Sequence, residues 1–155
     1  MIGIGERAPE FSARANDGRQ LRLAEFRGRP VVLYFFPKVF TPGCTAETVR
    51  FRDNYSDIQS LGAEVIGVST DGFEEQCRFA RVKEVTFPML SDADRAISRA
   101  YGVLWPLIER DKRVTFVIDA EGIVRARFHH EFQVSKHLDD VLAFLRAARP
   151  IAKRA

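Results

Sequence analysis

One cysteine stands in a segment whose residue types favour a reactive thiol. Cys44 ends the run Thr-Pro-Gly-Cys at 41–44, between an apolar stretch and a long helical pattern. If Thr41 is the N-cap, Pro42 takes the first helical position, where its missing N–H is no loss. Cys44 then lies among unpaired backbone N–H groups at the positive end of the helix dipole. This position favours the thiolate, which is the nucleophilic form of cysteine.

Packing is the alternative role for both cysteines, because free cysteine is among the most buried residue types. A Thr-Pro-Gly turn directly after a core strand is poorly explained by packing, so we interpret Cys44 as a nucleophile. Cys77 lies in a later helical stretch, in line with Phe73 and Ala80, and either carries chemistry or fills an apolar helix face. Two cysteines without a secretory signal pattern do not indicate a disulfide scaffold.

Alternating strands and helices must position these residues. The stretch 31–36 is apolar at every position, which is typical of a central strand covered on both faces. Asn-Asp-Gly at 16–18 predicts a hairpin turn, and Asp71 with Glu74 resembles a capping box. The predicted elements are a hairpin at 11–14 and 20–23, strand 31–36, helix 42–60, strand 64–70, helix 71–83, helix 95–101, strands 114–118 and 123–128, and helix 135–148.

The order of these elements predicts the fold class. Parallel βαβ units followed by ββα indicate an α/β, thioredoxin-like fold, in which helices flank a central mixed sheet and an N-terminal β-hairpin is added. A chain of 155 residues with 46% hydrophobic residues is long enough for one domain with a real core and too short to expect two. We therefore expect a single domain over residues 1–155.

Composition argues against several function classes. The longest apolar run, 31–36, is far shorter than the ~20 residues of a membrane span, and the N-terminus does not resemble a secretory signal. We expect no membrane association and a cytoplasmic location. The net charge of +3 comes from scattered basic residues rather than a dense stripe, which argues against nucleic-acid binding. No zinc spacing or phosphate-binding loop is present, so we expect no metal and no cofactor.

The motif around Cys44 resembles that of a known family. Pro-x-x-x-Thr-x-x-Cys at 37–44 is similar to the peroxidatic motif of peroxiredoxins. The longer Phe-Pro-x-x-x-Thr-Pro-Gly-Cys-Thr-x-Glu at 36–47 resembles the bacterioferritin comigratory, or peroxiredoxin Q, branch. The likeness covers nearly the whole chain, with Gly-x-x-Ala-Pro-x-Phe at 5–11, Leu-Ser-Asp at 90–92, Tyr-Gly-Val at 101–103 and Arg-Val-Thr-Phe-Val-Ile-Asp at 113–119.

The resemblance implies a role for each matched residue. Cys44 is expected to attack the peroxide and become a sulfenic acid, and Thr41 to hydrogen-bond both the sulfur and the peroxide. Arg113 is expected to lie beside the thiolate. Its alternative role is a surface charge, and Glu47 is either its partner or an ordinary exposed helix residue. The remaining implied assignments are Pro37 as a shield of the site, and Thr41, Gly43, Cys44 and Arg113 as the substrate contacts.

The second thiol departs from the common pattern of this branch. The usual resolving cysteine lies five residues after the first, but this chain has Val49 there. Some relatives carry a resolving cysteine on the helix of Cys77, so the resemblance implies a Cys44–Cys77 disulfide that thioredoxin or a similar thiol reductant reduces. A disulfide needs Cα atoms within roughly 4.4–6.8 Å, so local unwinding is expected. A one-cysteine mechanism with an external thiol is the alternative.

Two other function classes explain the residues less well. A dithiol oxidoreductase needs cysteines separated by two residues, but 45–47 are Thr-Ala-Glu. A non-enzymatic holdase or interaction module leaves Thr41, Cys44 and Arg113 unexplained. We therefore expect a peroxidase for hydrogen peroxide and small organic hydroperoxides. The chain is either a monomer or a homodimer, and an exposed patch near Phe40 or Trp105 could pair two copies.

Overall fold

A five-stranded mixed sheet forms the centre of the molecule. The structure is a computed structural model that describes residues 1–154, with side chains through residue 148. Its strands are β1 Ser12–Arg14, β2 Gln20–Arg22, β3 Val31–Phe35, β4 Glu64–Ser69, β5 Met89–Ser91, β6 Val114–Ile118 and β7 Val124–His129. Its helices are α1 Pro42–Asp53, α2 Tyr55–Ser60, α3 Phe73–Val82, α4 Ala96–Tyr101 and α5 Ser135–Arg154, and Leu23–Phe26 forms a 3₁₀ turn.

The central strand is β3, in the order β5-β4-β3-β6-β7. It pairs in parallel with β4 and antiparallel with β6, so that Leu33 lies opposite Ile66 on one side and Phe116 on the other. β5 is parallel to β4, and β7 is antiparallel to β6. The predicted mixed sheet flanked by helices is confirmed.

Both faces of the sheet are covered, which explains why β3 is apolar at every position. Successive side chains of a strand point to opposite faces. Leu33 and Phe35 pack with the N-terminal segment and with α4, whereas Tyr34 and Phe36 pack with α1, α2, α3 and α5. Every residue of β3 is buried. Each face of the sheet therefore has its own apolar core. The loop after β3 begins at the end of the sheet, between these two cores.

The N-terminal hairpin covers one of these cores. β1 and β2 pair antiparallel around the predicted turn, where Gly18 has a φ of +89° that favours glycine. Leu21 is buried against the sheet. The Asn16 N–H donates to the Met89 carbonyl, which links the hairpin to the edge strand β5. The predicted hairpin extension is confirmed.

Two predicted helix boundaries were wrong. The helix expected over 42–60 is divided into α1 and α2 at Asn54, whose side-chain amide donates to the Arg50 carbonyl at 2.9 Å. Such side-chain bonds compete with the helical backbone pattern. At the other end of the chain, α5 continues past residue 148 to Arg154. The prediction followed the apolar stripe, which ends at Leu145.

The predicted capping box at Asp71 was also wrong. α3 begins after Gly72, which makes no side-chain cap, and the Asp71 carboxylate accepts the Val39 N–H at 2.9 Å and the Ser69 hydroxyl at 2.8 Å. Contacts with the loop after β3 take the place of the cap. The short strand β5 was not predicted. Among the described residues, no helix has the length and apolar character needed to cross a membrane.

Candidate active site

Cys44 lies at the start of α1, beyond the C-terminal end of the central strand β3. Thr41 is the N-cap of α1, with extended φ and ψ of −78° and 150°, and proline follows it in the first turn as predicted. Cys44 is fully buried among the aromatic residues of one apolar core. The backbone N–H groups of a first helical turn have no partners within the helix. The sulfur therefore combines the positive end of a helix with exclusion of solvent.

Arg113 brings a positive charge to this sulfur. It precedes β6, and its Nη1 donates to the Cys44 Sγ at 3.4 Å and to the Glu47 Oε1 at 2.9 Å. Its Nε donates to the Glu131 carbonyl at 3.1 Å, and its backbone N–H to the Glu131 carboxylate at 2.9 Å. Burial opposes the charged guanidinium, but Glu47 and Cys44 raise the pKa of Arg113 overall. The guanidinium is thus charged and held on several sides.

Glu47 is a buried acid and not an exposed helix residue. Its side chain is about 1% exposed and forms an ion pair with Arg113. Burial raises the pKa of the Glu47 carboxyl to about 8, although the Arg113 guanidinium acts in the opposite direction. Arg113 likewise is not a surface charge, because it is only 7% exposed. The structure therefore brings Cys44, Glu47 and Arg113 into one contact set.

Thr41 is placed beside this set but makes a different hydrogen bond from the one expected. Its hydroxyl donates to the Lys38 carbonyl at 2.7 Å, and among the described residues it makes no hydrogen bond to the Cys44 sulfur. Phe40, between Lys38 and Thr41, has a left-handed φ of +62°. The single hydrogen of the Thr41 hydroxyl is used in the bond to Lys38, so its oxygen can only accept further hydrogen bonds.

Gly43 and Pro37 are close to Cys44 in sequence, and Gly43 also lies close to Arg113. A side-chain carbon at position 43 would lie 3.0 Å from Arg113 Nη2 and 3.7 Å from Val134 Cγ2. Glycine therefore allows the guanidinium to approach the helix start closely. Pro37 is half-buried in the loop between β3 and α1. Its shielding role stays a prediction.

Cys77 does not contact Cys44. Both cysteines are free thiols, and the Cys77 Sγ donates to the Asn16 carbonyl at 3.5 Å. Phe79 lies two residues further along α3 and packs edge-on against Phe40, with ring centroids 5.1 Å apart. Two residues correspond to a rotation of about 200° around a helix axis. Cys77 thus points to the N-terminal hairpin, away from the helix face that meets the Cys44 loop.

Sequence reasoning missed two residues that shape this site. Glu131 clamps Arg113 from the loop after β7. His137, on α5, is fully buried, with its Nδ1 2.8 Å from the Thr115 hydroxyl and 3.7 Å from the second oxygen of Glu47. The only sequence signal for His137 is its place four residues before Val141 on the apolar stripe. Within the part of the chain that the structure describes, no three His, Cys, Asp or Glu side chains are grouped to hold a metal ion.

Comparison with known proteins identifies the family of this chain. Residues 4–127 match the AhpC/TSA family. The chain is 39% identical over 148 residues to the chloroplastic peroxiredoxin Q of Gentiana triflora, which covers 95% of this chain and 68% of that protein. It is 37% identical over 151 residues to the peroxiredoxin Bcp of Escherichia coli K12, covering 94% and 96%. This chain belongs to the peroxiredoxin family.

Solved peroxiredoxin structures show the same fold. The peroxidoxin BcpB of Mycobacterium tuberculosis superposes with a TM-score of 0.89 at 36% identity, covering 95% of this chain and 98% of that one. The bacterioferritin comigratory protein of Xanthomonas campestris, studied for alkyl peroxide reduction, gives 0.83 at 31% identity, covering 90% and 92%. The predicted thioredoxin-like fold is confirmed. This peroxiredoxin is a thiol-dependent peroxidase, an oxidoreductase that acts on peroxides and is reduced by thiol partners.

Proposed function

We propose that Cys44 is the residue of this peroxidase that reacts with peroxide, and that Arg113 and Thr41 position the substrate. The observation that supports this proposal is the 3.4 Å contact between Arg113 Nη1 and the buried Cys44 Sγ at the start of α1. A guanidinium and a helix N-terminus both favour a thiolate. Gly43 leaves room for the guanidinium beside the first turn of α1.

The reaction follows from the charges in this site. The Cys44 thiolate attacks one peroxide oxygen, so that an S–O bond forms as the O–O bond breaks. Sulfur loses two electrons, the peroxide gains them, and the departing oxygen takes up a proton to become water or an alcohol. Negative charge moves from sulfur to oxygen in the transition state. Arg113 lies where a fixed donor can stabilise that charge, and Glu47 and Glu131 hold it in position.

Thr41 is proposed to accept a hydrogen bond from the peroxide. Its own hydroxyl hydrogen is directed to the Lys38 carbonyl, so its lone pairs can receive the O–H of a hydroperoxide. This would orient the terminal oxygen, which carries the hydrogen, toward Cys44. Pro37 is proposed to shield the bound peroxide from water on the loop side.

Recycling is proposed to use Cys77 and then a thiol reductant such as thioredoxin. Attack of Cys77 on the Cys44 sulfenic acid would form the disulfide and release water. Because the Cys77 thiol faces Asn16, α3 must unwind locally and turn this side chain toward Cys44. α3 is only ten residues long, and its N-cap Gly72 makes no side-chain hydrogen bond, which favours such opening.

The substrate range, oligomeric state, partners and location of the protein are also proposed. Hydrogen peroxide and small organic hydroperoxides are the proposed substrates, with the alkyl peroxide reduction of the Xanthomonas relative as support. The chain is proposed to be a monomer or a homodimer, without nucleic-acid or membrane partners. Phe40 is 37% exposed, and it is a candidate contact in a dimer. A cytoplasmic location is proposed from the sequence pattern alone. The peroxiredoxin Q relatives of Gentiana triflora and Sedum lineare are chloroplastic.

The experiment combines peroxide turnover with mapping of the oxidised cysteines. The protein is treated with one equivalent of hydrogen peroxide, thiols are blocked, and intact mass and peptides are measured without reduction. We expect a loss of two hydrogens that maps to a Cys44–Cys77 link. Cys44→Ser is expected to lose turnover, whereas Cys77→Ser is expected to stop with one added oxygen on Cys44.

Other outcomes would change the proposal in defined ways. Turnover above trace level in Cys44→Ser would contradict the central role of Cys44. One added oxygen on Cys44 of the unaltered protein, with Cys77 still free, would show a one-cysteine enzyme that needs an external thiol. Unchanged turnover in Cys77→Ser with thioredoxin as the reductant would lead to the same conclusion.

A further inference from the structure

Glu131 holds Arg113 through two different groups, and one of them also contacts a histidine. The Glu131 carbonyl accepts from Arg113 Nε at 3.1 Å, and the carboxylate oxygen Oε2 accepts the Arg113 backbone N–H at 2.9 Å. The same Oε2 lies 2.6 Å from the Nε2 of His129. A carboxylate oxygen has two lone pairs, so it can accept both bonds. His129 is thus one hydrogen bond away from the residue that holds Arg113, and the mechanism described above gives it no role.

Strand pairing brings these residues to one end of the sheet. Val114 of β6 pairs with Phe35 of β3 on one side and with His129 of β7 on the other. Arg113 directly precedes β6, and Glu131 follows β7 by two positions, so both lie at the end of the sheet where β3 leads toward α1. As the last residue of a paired strand, His129 is a fixed point for the loop that follows.

The loop 130–134 depends on side-chain contacts, because it contains no helix or strand. Phe132, the neighbour of Glu131, is 96% exposed and gives the loop no apolar anchor. His130 is attached separately to α5, with its Nε2 2.7 Å from a carboxylate oxygen of Asp140. Removal of one bond to the Glu131 side chain should therefore leave the loop attached to α5, but the carboxylate would be held less firmly.

The contact between His129 and Glu131 differs from an ordinary surface pair. The two side chains are 37% and 20% exposed, and ion pairs on the surface usually contribute little because two flexible side chains must be ordered. Here the Glu131 carboxylate is already ordered by the backbone N–H of Arg113. Both the charged imidazole and the neutral form with hydrogen on Nε2 can donate to it, so the bond does not require a charged histidine.

We propose that His129 is a positioning residue for the reaction of Cys44 with peroxide. This inference deepens the proposed function and rests on the roles of Cys44 and Arg113 given there. His129 fixes the Glu131 carboxylate, and Glu131 fixes the backbone and the Nε of Arg113. The guanidinium then keeps its Nη1 3.4 Å from the Cys44 sulfur, where it can stabilise the charge that develops in the transition state. A displaced guanidinium would lose part of this stabilisation.

A matched pair of amide variants tests the donor at position 129. The rate constant of the peroxide step is measured by stopped flow in the Cys77→Ser protein, in which the reaction should end with one oxygen on Cys44. The amide of His129→Gln reaches as far as the imidazole Nε2 and can donate to Glu131, whereas that of His129→Asn is one carbon too short. We expect His129→Asn to lower the rate roughly 2- to 10-fold, as the loss of one hydrogen bond predicts. His129→Gln should restore the rate.

A double-mutant cycle tests whether His129 acts through Glu131. Glu131→Ala removes the carboxylate but keeps the backbone carbonyl that binds Arg113, and it should lower the rate by itself. If His129 acts through this carboxylate, His129→Asn should have no further effect in Glu131→Ala, whereas independent effects would multiply. Arg127→Gln is the control, because Arg127 lies on the same exposed face of β7, donates to the Ile2 carbonyl and should leave the rate unchanged.

The outcomes separate this proposal from the one on which it rests. If no oxygen is added to Cys44 in the Cys77→Ser protein, the proposed function itself fails. If Cys44 is oxidised but His129→Asn reacts at the unaltered rate, the proposal is wrong while the role of Cys44 stands. An equal loss of rate in His129→Asn and His129→Gln would also overturn it, because the restored donor would then have no effect. Effects that multiply in the cycle would exclude Glu131 as the connection to Arg113.

Discussion

Arg113 connects three parts of the chain through a single side chain. Its Nη1 contacts the Cys44 sulfur and the Glu47 carboxyl on α1, and its Nε is held by the Glu131 carbonyl in the loop after β7. A guanidinium presents its donors in a rigid plane, whereas a lysine ammonium is a point charge on a flexible stem. The geometry of the donors therefore matters here as well as the charge.

Replacing Arg113 by lysine should slow the peroxide step even though the charge is retained. A hydrogen bond to a charged group contributes about 1.5–3 kcal/mol, and the loss of one such bond to the transition state corresponds to a roughly 10- to 150-fold lower rate. Stopped-flow measurement of the rate constant with hydrogen peroxide gives this ratio. Arg125→Lys is the control, because Arg125 lies on β7, pairs with Asp119 and should not change the rate. A rate unchanged in Arg113→Lys would show that charge alone is sufficient.

At the scale of elements, β4 packs closely against its neighbours at Gly67, beside Tyr34 of β3 and Met89 of β5. A side-chain carbon at Gly67 would come within 2.7 Å of the Met89 sulfur and 2.9 Å of the Tyr34 ring. The Tyr34 ring cannot move aside easily, since it stacks on Phe51 of α1 with centroids 4.6 Å apart. The absence of a side chain at position 67 thus sets how closely the helix carrying Cys44 approaches the sheet.

Gly67→Ala should destabilise the protein by about 1–3 kcal/mol, which is typical when an extra carbon is forced into a packed core. The free energy of unfolding can be measured by urea denaturation. Gly72→Ser is the control: no atom lies within 4 Å of a side-chain carbon there, and serine is at least as favourable as glycine at an N-cap. Equal destabilisation of the two variants would contradict this explanation.

At the scale of the whole molecule, buried ionisable groups make stability depend on pH in opposite directions. Burial lowers the pKa of His137 to about 4, so the unfolded chain binds more protons as pH falls from about 6.5 to 4, and stability is lost over that range. Burial raises the pKa of Asp111 and Glu47 to about 8, so the folded chain holds more protons there, and stability is lost as pH rises toward 8.

Asp111→Asn should therefore reduce the loss of stability between pH 6.5 and pH 8. Both carboxylate oxygens of Asp111 are buried and lack hydrogen-bond partners among the described residues, so ionisation there is unfavourable. The free energy of unfolding of the variant and of the unaltered protein is compared at both pH values. Asp57→Asn, at an exposed position on α2, is the control. Parallel losses of stability in the protein and in Asp111→Asn would show that Asp111 does not ionise in this range.

Features that depend on neighbouring residues could be predicted from the sequence alone. An apolar run of strand length requires cover on both faces, and β3 has it. Thr41 followed by proline specifies a helix start within one turn, so the placement of Cys44 in the first turn of α1 was predictable. These features follow from backbone preferences and from burial of apolar surface, and both can be recognised in a short window of the sequence.

Which distant side chains meet could not be predicted from the sequence and is known from the three-dimensional structure. Glu47 and Arg113 are 66 positions apart, and whether they form a pair depends on the packing of α1 against the start of β6. The same packing buries His137 beside Glu47 and directs Asp71 to the Cys44 loop instead of its own helix. It also turns Cys77 away from Cys44. Such contacts depend on the positions of whole elements, because a side chain binds the nearest suitable partner in space and not in sequence.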